Sequence, residues 1–342
     1  MKKKIAIAAI VAAALTLSSC GNPTMTYSGA YWNKDPTITG VIPISETLVY
    51  SVSSVYTSEF SATEMKSDSI ALEIDGDLEK SYYKTELTAT ENGTYIYKTT
   101  LNVSGKYVFD GGEYEFKDDR TYSETEFKGL DGNFVPVRST RTAENVIPGT
   151  DKPTGADSFV KMGYTATIYY GESSLDAEVV PNEDSKNGFV YKEKPVTIKN
   201  YLSATYLDED IMIFAFRAMK FSGSTSYSFN TVDKLGQSLS TISLSPVNAT
   251  ASDSAPTTTP ITLSGYKNNG NLMVEQRFDT FGVSFKTTGK YSKAFKYVYY
   301  AVNPTDEYGN EVNETRHIPI KIYQPELYNS GYLCFTLSSI TI

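Results

Sequence analysis

The chain has 342 residues, with 40 Asp and Glu against 31 Lys and Arg and a formal charge of −9. An acidic surface repels nucleic acid and anionic lipid headgroups, so neither is an expected partner. Aromatic residues make up 13%, with 27 Tyr and 16 Phe; together with abundant Thr, Ser and Val they favour strands over helices.

Lys2, Lys3 and Lys4 form a basic start, and residues 5–17 are apolar apart from Thr16. Leu17-Ser18-Ser19-Cys20 closes the segment. A short apolar stretch behind a basic start and ending in small residues is a secretory signal. As a helix it reaches about 20 Å, short of the roughly 30 Å hydrocarbon core. The cysteine after two serines resembles the lipobox of bacterial lipoproteins. That resemblance implies diacylglyceryl transfer to the Cys20 thiol, cleavage after Ser19 and acylation of the new amine by a chain such as palmitate. Residues 1–19 are then the signal peptide and residues 20–40 a lipidated tether, with the membrane as partner through the anchor. Loss of three lysines brings the mature charge to about −12. The expected location is the cell envelope, outside the cytoplasm. In a diderm cell Gly21-Asn22, with no acid after Cys20, permits outer-membrane sorting; in a monoderm cell the site is the outer face of the cytoplasmic membrane.

From Val41 onward, short alternating segments are separated by turn residues. Residues 80–90 and 94–103 flank Glu91-Asn92-Gly93, a strong hairpin signal. Residues 106–109 and 114–116 flank Asp110-Gly111-Gly112 in the same way. Further strands are expected at 122–128, 134–142, 164–170, 175–180, 188–198, 227–232, 239–244 and 261–266. The set closes with 272–280, 283–287, 295–302, 315–323 and 333–342. This pattern predicts a mainly β protein in which 41–342 form one domain, divisible into two subdomains near 200. Residues 245–260, rich in Pro, Thr, Ser and Ala, are expected to be an exposed loop.

One segment breaks the β pattern. Asp208-Glu209-Asp210 precedes an apolar run over 211–221 that carries Arg217 and Lys220 near its end. Asp208 can cap a helix there, and the charges complement its dipole. Because the segment is apolar nearly all round, the helix near 208–221 should be buried. An acid-opened helix with an arginine resembles an element of an uncharacterised family of bacterial exported proteins. Phe127-Lys128-Gly129-Leu130 with Phe134-Val135-Pro136-Val137-Arg138-Ser139 is similar to that family's earlier segment. Arg316-His317-Ile318-Pro319-Ile320 and Gly331-Tyr332-Leu333-Cys334-Phe335-Thr336-Leu337 are similar to its closing strands. The resemblance implies one large curved antiparallel sheet, half-barrel-like, related in shape to LolA-type and LppX-type carriers. It brings no catalytic residue with it.

The sequence offers little for catalysis. His317 is the single histidine, so a His-ligated zinc site and a Ser-His-Asp arrangement have little to draw on. It lies in an apparent strand and reads as structural. No phosphate-binding glycine motif occurs, and no cofactor or metal is expected. The acids Glu113 and Glu115, Glu124 and Glu126, and Glu307 and Glu311 could be proposed as glycosidase pairs. At i and i+2 on strands they read instead as a solvated face. Asp75-Gly76-Asp77 reads as a turn, and Cys334 as a small buried residue. Tyr95 with Tyr97, and Tyr297 with Tyr299, share strand faces and could form an aromatic platform.

The expectation is therefore a lipid-anchored, non-catalytic binding or carrier protein for a lipid or other apolar or amphipathic ligand. Met212, Phe214, Phe216 and Met219 on the helix are its expected ligand-binding residues. The rival is a cell-surface adhesin or glycan-binding lipoprotein built on the tyrosines.

Overall fold

The computed structural model describes residues 45–55, 70–128, 134–150, 152–182, 195–199, 201, 206–218, 227–247, 258–287, 295–302, 316–325 and 332–342. Cys20, Met219 and the pair Glu307 and Glu311 lie outside these residues. The protein is mainly β, with one short helix inside a large, curved sheet of 17 strands that has a closed barrel core. Strands on both sides of residue 200 join that one sheet.

The N-terminal strands are β1 (Ser45–Val55), β2 (Ile70–Ile74), β3 (Tyr82–Ala89), β4 (Tyr95–Phe109), β5 (Gly112–Lys128), β6 (Val135–Pro148), β7 (Phe159–Tyr170), β8 (Leu175–Pro181) and β9 (Val196–Ile198). Antiparallel pairing joins them from β4 outward to β9, while the other edge of β4 carries both β2 and β3. β3 continues into β1, with Tyr50 opposite Tyr83. The remaining strands are β10 (Tyr206–Asp208), β11 (Tyr227–Val232), β12 (Leu239–Pro246), β13 (Thr258–Asn268), β14 (Asn271–Thr287), β15 (Tyr297–Ala301), β16 (Pro319–Pro325) and β17 (Tyr332–Thr341). β1 pairs with β17, and the ladder runs on through β16, β15 and β14 to β13 and β12. A short parallel pairing of β13 with β17, at Lys267 with Ser339 and Asn268 with Ile340, closes that run into a ring.

Alternation explains these strands, but not always with apolar residues. On β5 the buried row is Asp119, Thr121, Ser123, Thr125 and Phe127. Its hydroxyls are satisfied across strands: Thr99 Oγ1 lies 2.7 Å from Ser123 Oγ, and Thr125 Oγ1 lies 2.8 Å from Ser139 Oγ. Buried polar groups are tolerated when so paired. The two hairpins expected around Asn92-Gly93 and Asp110-Gly111 share one long strand, β4, with a register shift between Val103 and Gly105. A Cβ at Gly105 would sit 2.2 Å from the carbonyl oxygen of Glu73, so the bulge lets β2 approach the backbone of β4. Of the expected strand 188–198, only Val196–Ile198 falls among the described residues as strand. The expected loop 245–260 is strand at both ends, since β12 runs to Pro246 and β13 begins at Thr258.

The expected helix is shorter and tighter than its apolar run. A 3-10 turn Glu209–Ile211 leads into α1 (Met212–Ala215), and a second 3-10 turn Phe216–Ala218 follows. Asp208 caps it, its Oδ1 accepting from the Asp210 N–H at 2.7 Å. None of residues 211–216 is more than 3% exposed. Phe214 lies 5.3 Å from the Tyr97 ring, 5.9 Å from Phe127 and 5.7 Å from Phe134. Phe216 meets Phe285 at 5.4 Å, and the Tyr300 hydroxyl donates to the Ile213 carbonyl. The segment is a plug held by the strands around it.

Arg217, expected to complement the helix dipole, instead makes a buried ion pair. It is 1% exposed and pairs with Glu46 of β1 through two bonds of 2.5 and 2.9 Å. Its Nε donates to the Arg316 carbonyl, and His317 Nδ1 lies 3.0 Å from the Arg217 carbonyl. His317 is not inside a strand: Arg316 and His317 form a left-handed turn, with φ of 51° and 48°, just before β16.

Candidate functional site

Among the described residues two recesses stand out, and the larger is the less suited to an apolar ligand. It is an open cleft of about 510 Å³ over β2, β4 and β5, lined by Glu73, Lys80, Lys106, Glu115 and Asp118 among others. Two of its lysines are paired, Lys80 with Asp75 at 2.7 Å and Lys106 with Glu73 and with the neighbouring Glu113. Asp75-Gly76-Asp77 belongs to the turn there, with Asp75 accepting from the Asp77 N–H.

The second recess, of about 140 Å³, lies against the inner face of the sheet. Leu72, Val103, Tyr107 and Phe116 supply its apolar wall from β2, β4 and β5. Met162 of β7 and Leu235 of the β11–β12 turn face them. Its polar side is made by Arg141, Tyr164, Asp119 and Asn145. Lys234 and Gln324 add to that polar side. An apolar wall facing placed polar groups can hold and orient a small amphipathic molecule.

The polar groups are fixed. Arg141 donates through Nη1 to Asp210 Oδ1 at 2.6 Å, and its Nε lies 3.4 Å from the Tyr164 hydroxyl. Burial works against the guanidinium charge, but the Asp210 carboxylate outweighs it and holds Arg141 charged. Asp119 accepts from the Val146 N–H at 2.8 Å, and Asn145 donates to Thr121. Behind Arg141, Asp208 accepts from Ser139 at 2.5 Å and from the Tyr170 hydroxyl. Burial, followed by the charge of Asp210, pushes the Asp208 carboxyl up to about 6 against those hydrogen bonds. These side chains tie the short strand β10 and the helix entry to β6 and β7.

The Leu235 wall is equally set. Asp233, fully buried, accepts from the N–H groups of Leu235 and Gln237 and from the Ser238 hydroxyl. Gly236 has φ of +65°, and a Cβ there would lie 2.7 Å from Ala177 Cβ and 2.8 Å from Ile168 Cγ1. Only glycine lets this turn dock so closely on β7 and β8.

The helix residues expected to bind ligand are elsewhere. Met212, Phe214 and Phe216 are 0%, 1% and 0% exposed in the plug, and neither recess is lined by them. The tyrosine pairs also divide. Tyr97 is buried under Phe214, and half-buried Tyr95 stacks on Phe127 at 5.7 Å against the core. Tyr297 and Tyr299 pack with Tyr323, Tyr332 and Cys334 in a separate cluster. There Tyr299 meets Tyr323 edge-on, at 72°, so these two rings are not coplanar. Glu113 and Glu115 are exposed, and Glu124 pairs with Lys98, as a solvated face requires.

Arg141 and Leu235 were missed by reading motifs, yet one signal was present for the arginine. On a strand, Ser139, Arg141 and Ala143 share a face, and an apolar Ala143 marks that face as inward. No protein-family model matches the sequence. No curated protein matches it either. A crystal structure of a beta-barrel-like protein of domain of unknown function DUF1849 from Brucella abortus is similar at a TM-score of 0.41 and 8% identity, covering 87% of this chain and 98% of that one, and no residue role is transferred from it.

Proposed function

We propose that this is a lipid-anchored extracytoplasmic protein that binds a small apolar or amphipathic ligand without transforming it. The observation that supports this reading is the cavity of about 140 Å³, walled by Leu72, Phe116, Met162 and Leu235 and edged by Arg141. Its size limits the ligand. Engineered cavities of about 150 Å³ hold one benzene-sized molecule, whereas pockets for larger ligands run to roughly 300–1,000 Å³. The site therefore suits a short acyl segment or a single ring, not the paired chains of a whole membrane lipid. A polar end would lie toward Arg141, Tyr164 and Asn145.

A series of straight-chain alkanoates and alkanols tests this by calorimetric titration. Affinity should rise about fourfold per methylene, from roughly 0.8 kcal/mol of burial each, and level off near six carbons. Val103→Phe, which fills the cavity, should abolish uptake with little change in melting temperature. Absence of binding across the series, together with no ligand extracted from the purified protein, would overturn the reading.

A further inference from the structure

The β13–β14 hairpin ends in an unusual tip. Its turn, Asn269-Gly270, has positive φ at both positions, 47° and 80°. Immediately after it Leu272, Met273 and Val274 are 63%, 37% and 81% exposed. Ile342, 43% exposed, lies beside them, its N–H donating to Asn269 Oδ1 at 2.8 Å. Adjacent exposed apolar side chains mark an interaction surface more often than scattered ones do.

The topology says what the tip faces. Asn268 is paired with Ile340 of β17, and Ile340 is paired with Leu48 of β1. The tip, the end of β17 and the first residues of β1 are thus at one end of the barrel. Residues 21–44 lead from Cys20 directly into that end. Under the lipid-anchor reading the chain from Cys20 enters the barrel here, which makes this the end that meets the bilayer. The opposite end carries its own marker. Ser51 pairs with Tyr82, and the turn before Tyr82 holds Leu78, 43% exposed.

We propose that Leu272, Met273 and Val274 insert into the lipid surface to which Cys20 tethers the chain, giving the barrel a second membrane contact and a fixed orientation. This rests on the lipid-anchor reading. The contact is apolar, because the processed chain, more acidic than the −9 of the full sequence, gains nothing from anionic headgroups. A few inserted side chains add to acyl anchoring, as in proteins held by two signals.

The test uses the full, lipid-modified chain in phosphatidylcholine vesicles, with an environment-sensitive fluorophore on Val274→Cys or, separately, on Leu78→Cys. Cys334 is buried and does not compete for label. Brominated lipid should quench the label at 274 by about twofold or more and leave the label at 78 unchanged, as expected for shallow interfacial insertion at one end only. The added change Leu272→Ser should weaken quenching at 274 while vesicle flotation persists. A chain that floats with both labels in water overturns the tip contact and leaves the anchor standing. A chain that does not float overturns the anchor and the proposal with it. A label at 274 that is shielded with protein density and not by lipid shows a second copy covering the tip, and overturns the proposal too.

Discussion

At the scale of single residues, two buried charges govern how this interior responds to change. Glu46 and Arg217 are each 2% exposed in their side chains and satisfy one another. Removing one partner strands the other, so Glu46→Ala should cost about 3–5 kcal/mol. Replacing both, as Glu46→Leu with Arg217→Met, should cost less than either single change. Urea midpoints at unchanged slope decide this, and a double variant weaker than both singles would refute it. Asp208 makes a second, pH-dependent prediction. Its folded pKa of about 6 lies above the ordinary carboxyl value near 3.9. Between those values the folded state holds the extra proton. The Asp208 contribution is therefore greatest below about pH 4, declines as pH rises to about 6, and is flat above. The stability difference between wild type and Asp208→Asn should fall by on the order of 1–3 kcal/mol across that window. A pH-independent difference in urea melts would show that Asp208 titrates normally.

At the scale of elements, hairpin chemistry was the most legible feature and the helix the least. Asn92-Gly93 places a turn because Gly93 adopts φ of 75°, and the flanking strands follow within two residues. Asp208 was legible as a cap for the same local reason. The limits of the helix were not, because a segment buried on every side has no periodic face to read. Its α-helical part covers four residues, and the segment as a whole is held by separate partners on β1, β4, β5, β14 and β15. Glu46 lies 171 residues from Arg217, a pairing with no local trace. The cavity was hidden for a related reason, since its wall comes from strands and a turn that meet only after the sheet has curled. Phe214→Ala separates plug from cavity. It should cost about 3–5 kcal/mol as a core truncation, yet leave alkanoate affinity unchanged because Phe214 does not line the recess. Gly236→Ala should do the reverse in part, lifting Leu235 from β7 and β8 and weakening uptake more than its modest stability loss accounts for. Thermal melts paired with titrations on both variants distinguish these roles.

At the scale of the whole molecule, the proposed anchor and the cavity are physically separate devices. The barrel is closed by β13 against β17 and its core includes the α1 plug, so its folding should not require anything bound at Cys20. The cavity lies among β2, β4, β5, β6 and β7 and reaches Leu333 near the start of β17, whereas β1 begins at Ser45 beside the other end of β17. Loss of the acyl chains should accordingly remove the protein from membranes and leave its interior intact. Cys20→Ala is expected to shift the protein from the detergent phase to the aqueous phase on partitioning, with the melting temperature and alkanoate titration of the wild type. Apolar tip residues alone cannot replace the anchor, since even a single myristoyl chain gives only marginal, reversible attachment. A wild type found wholly in the aqueous phase would refute lipidation. A Cys20→Ala variant that reaches the aqueous phase but no longer takes up alkanoate would show that the cavity needs the membrane to form, contrary to the closed barrel that holds it.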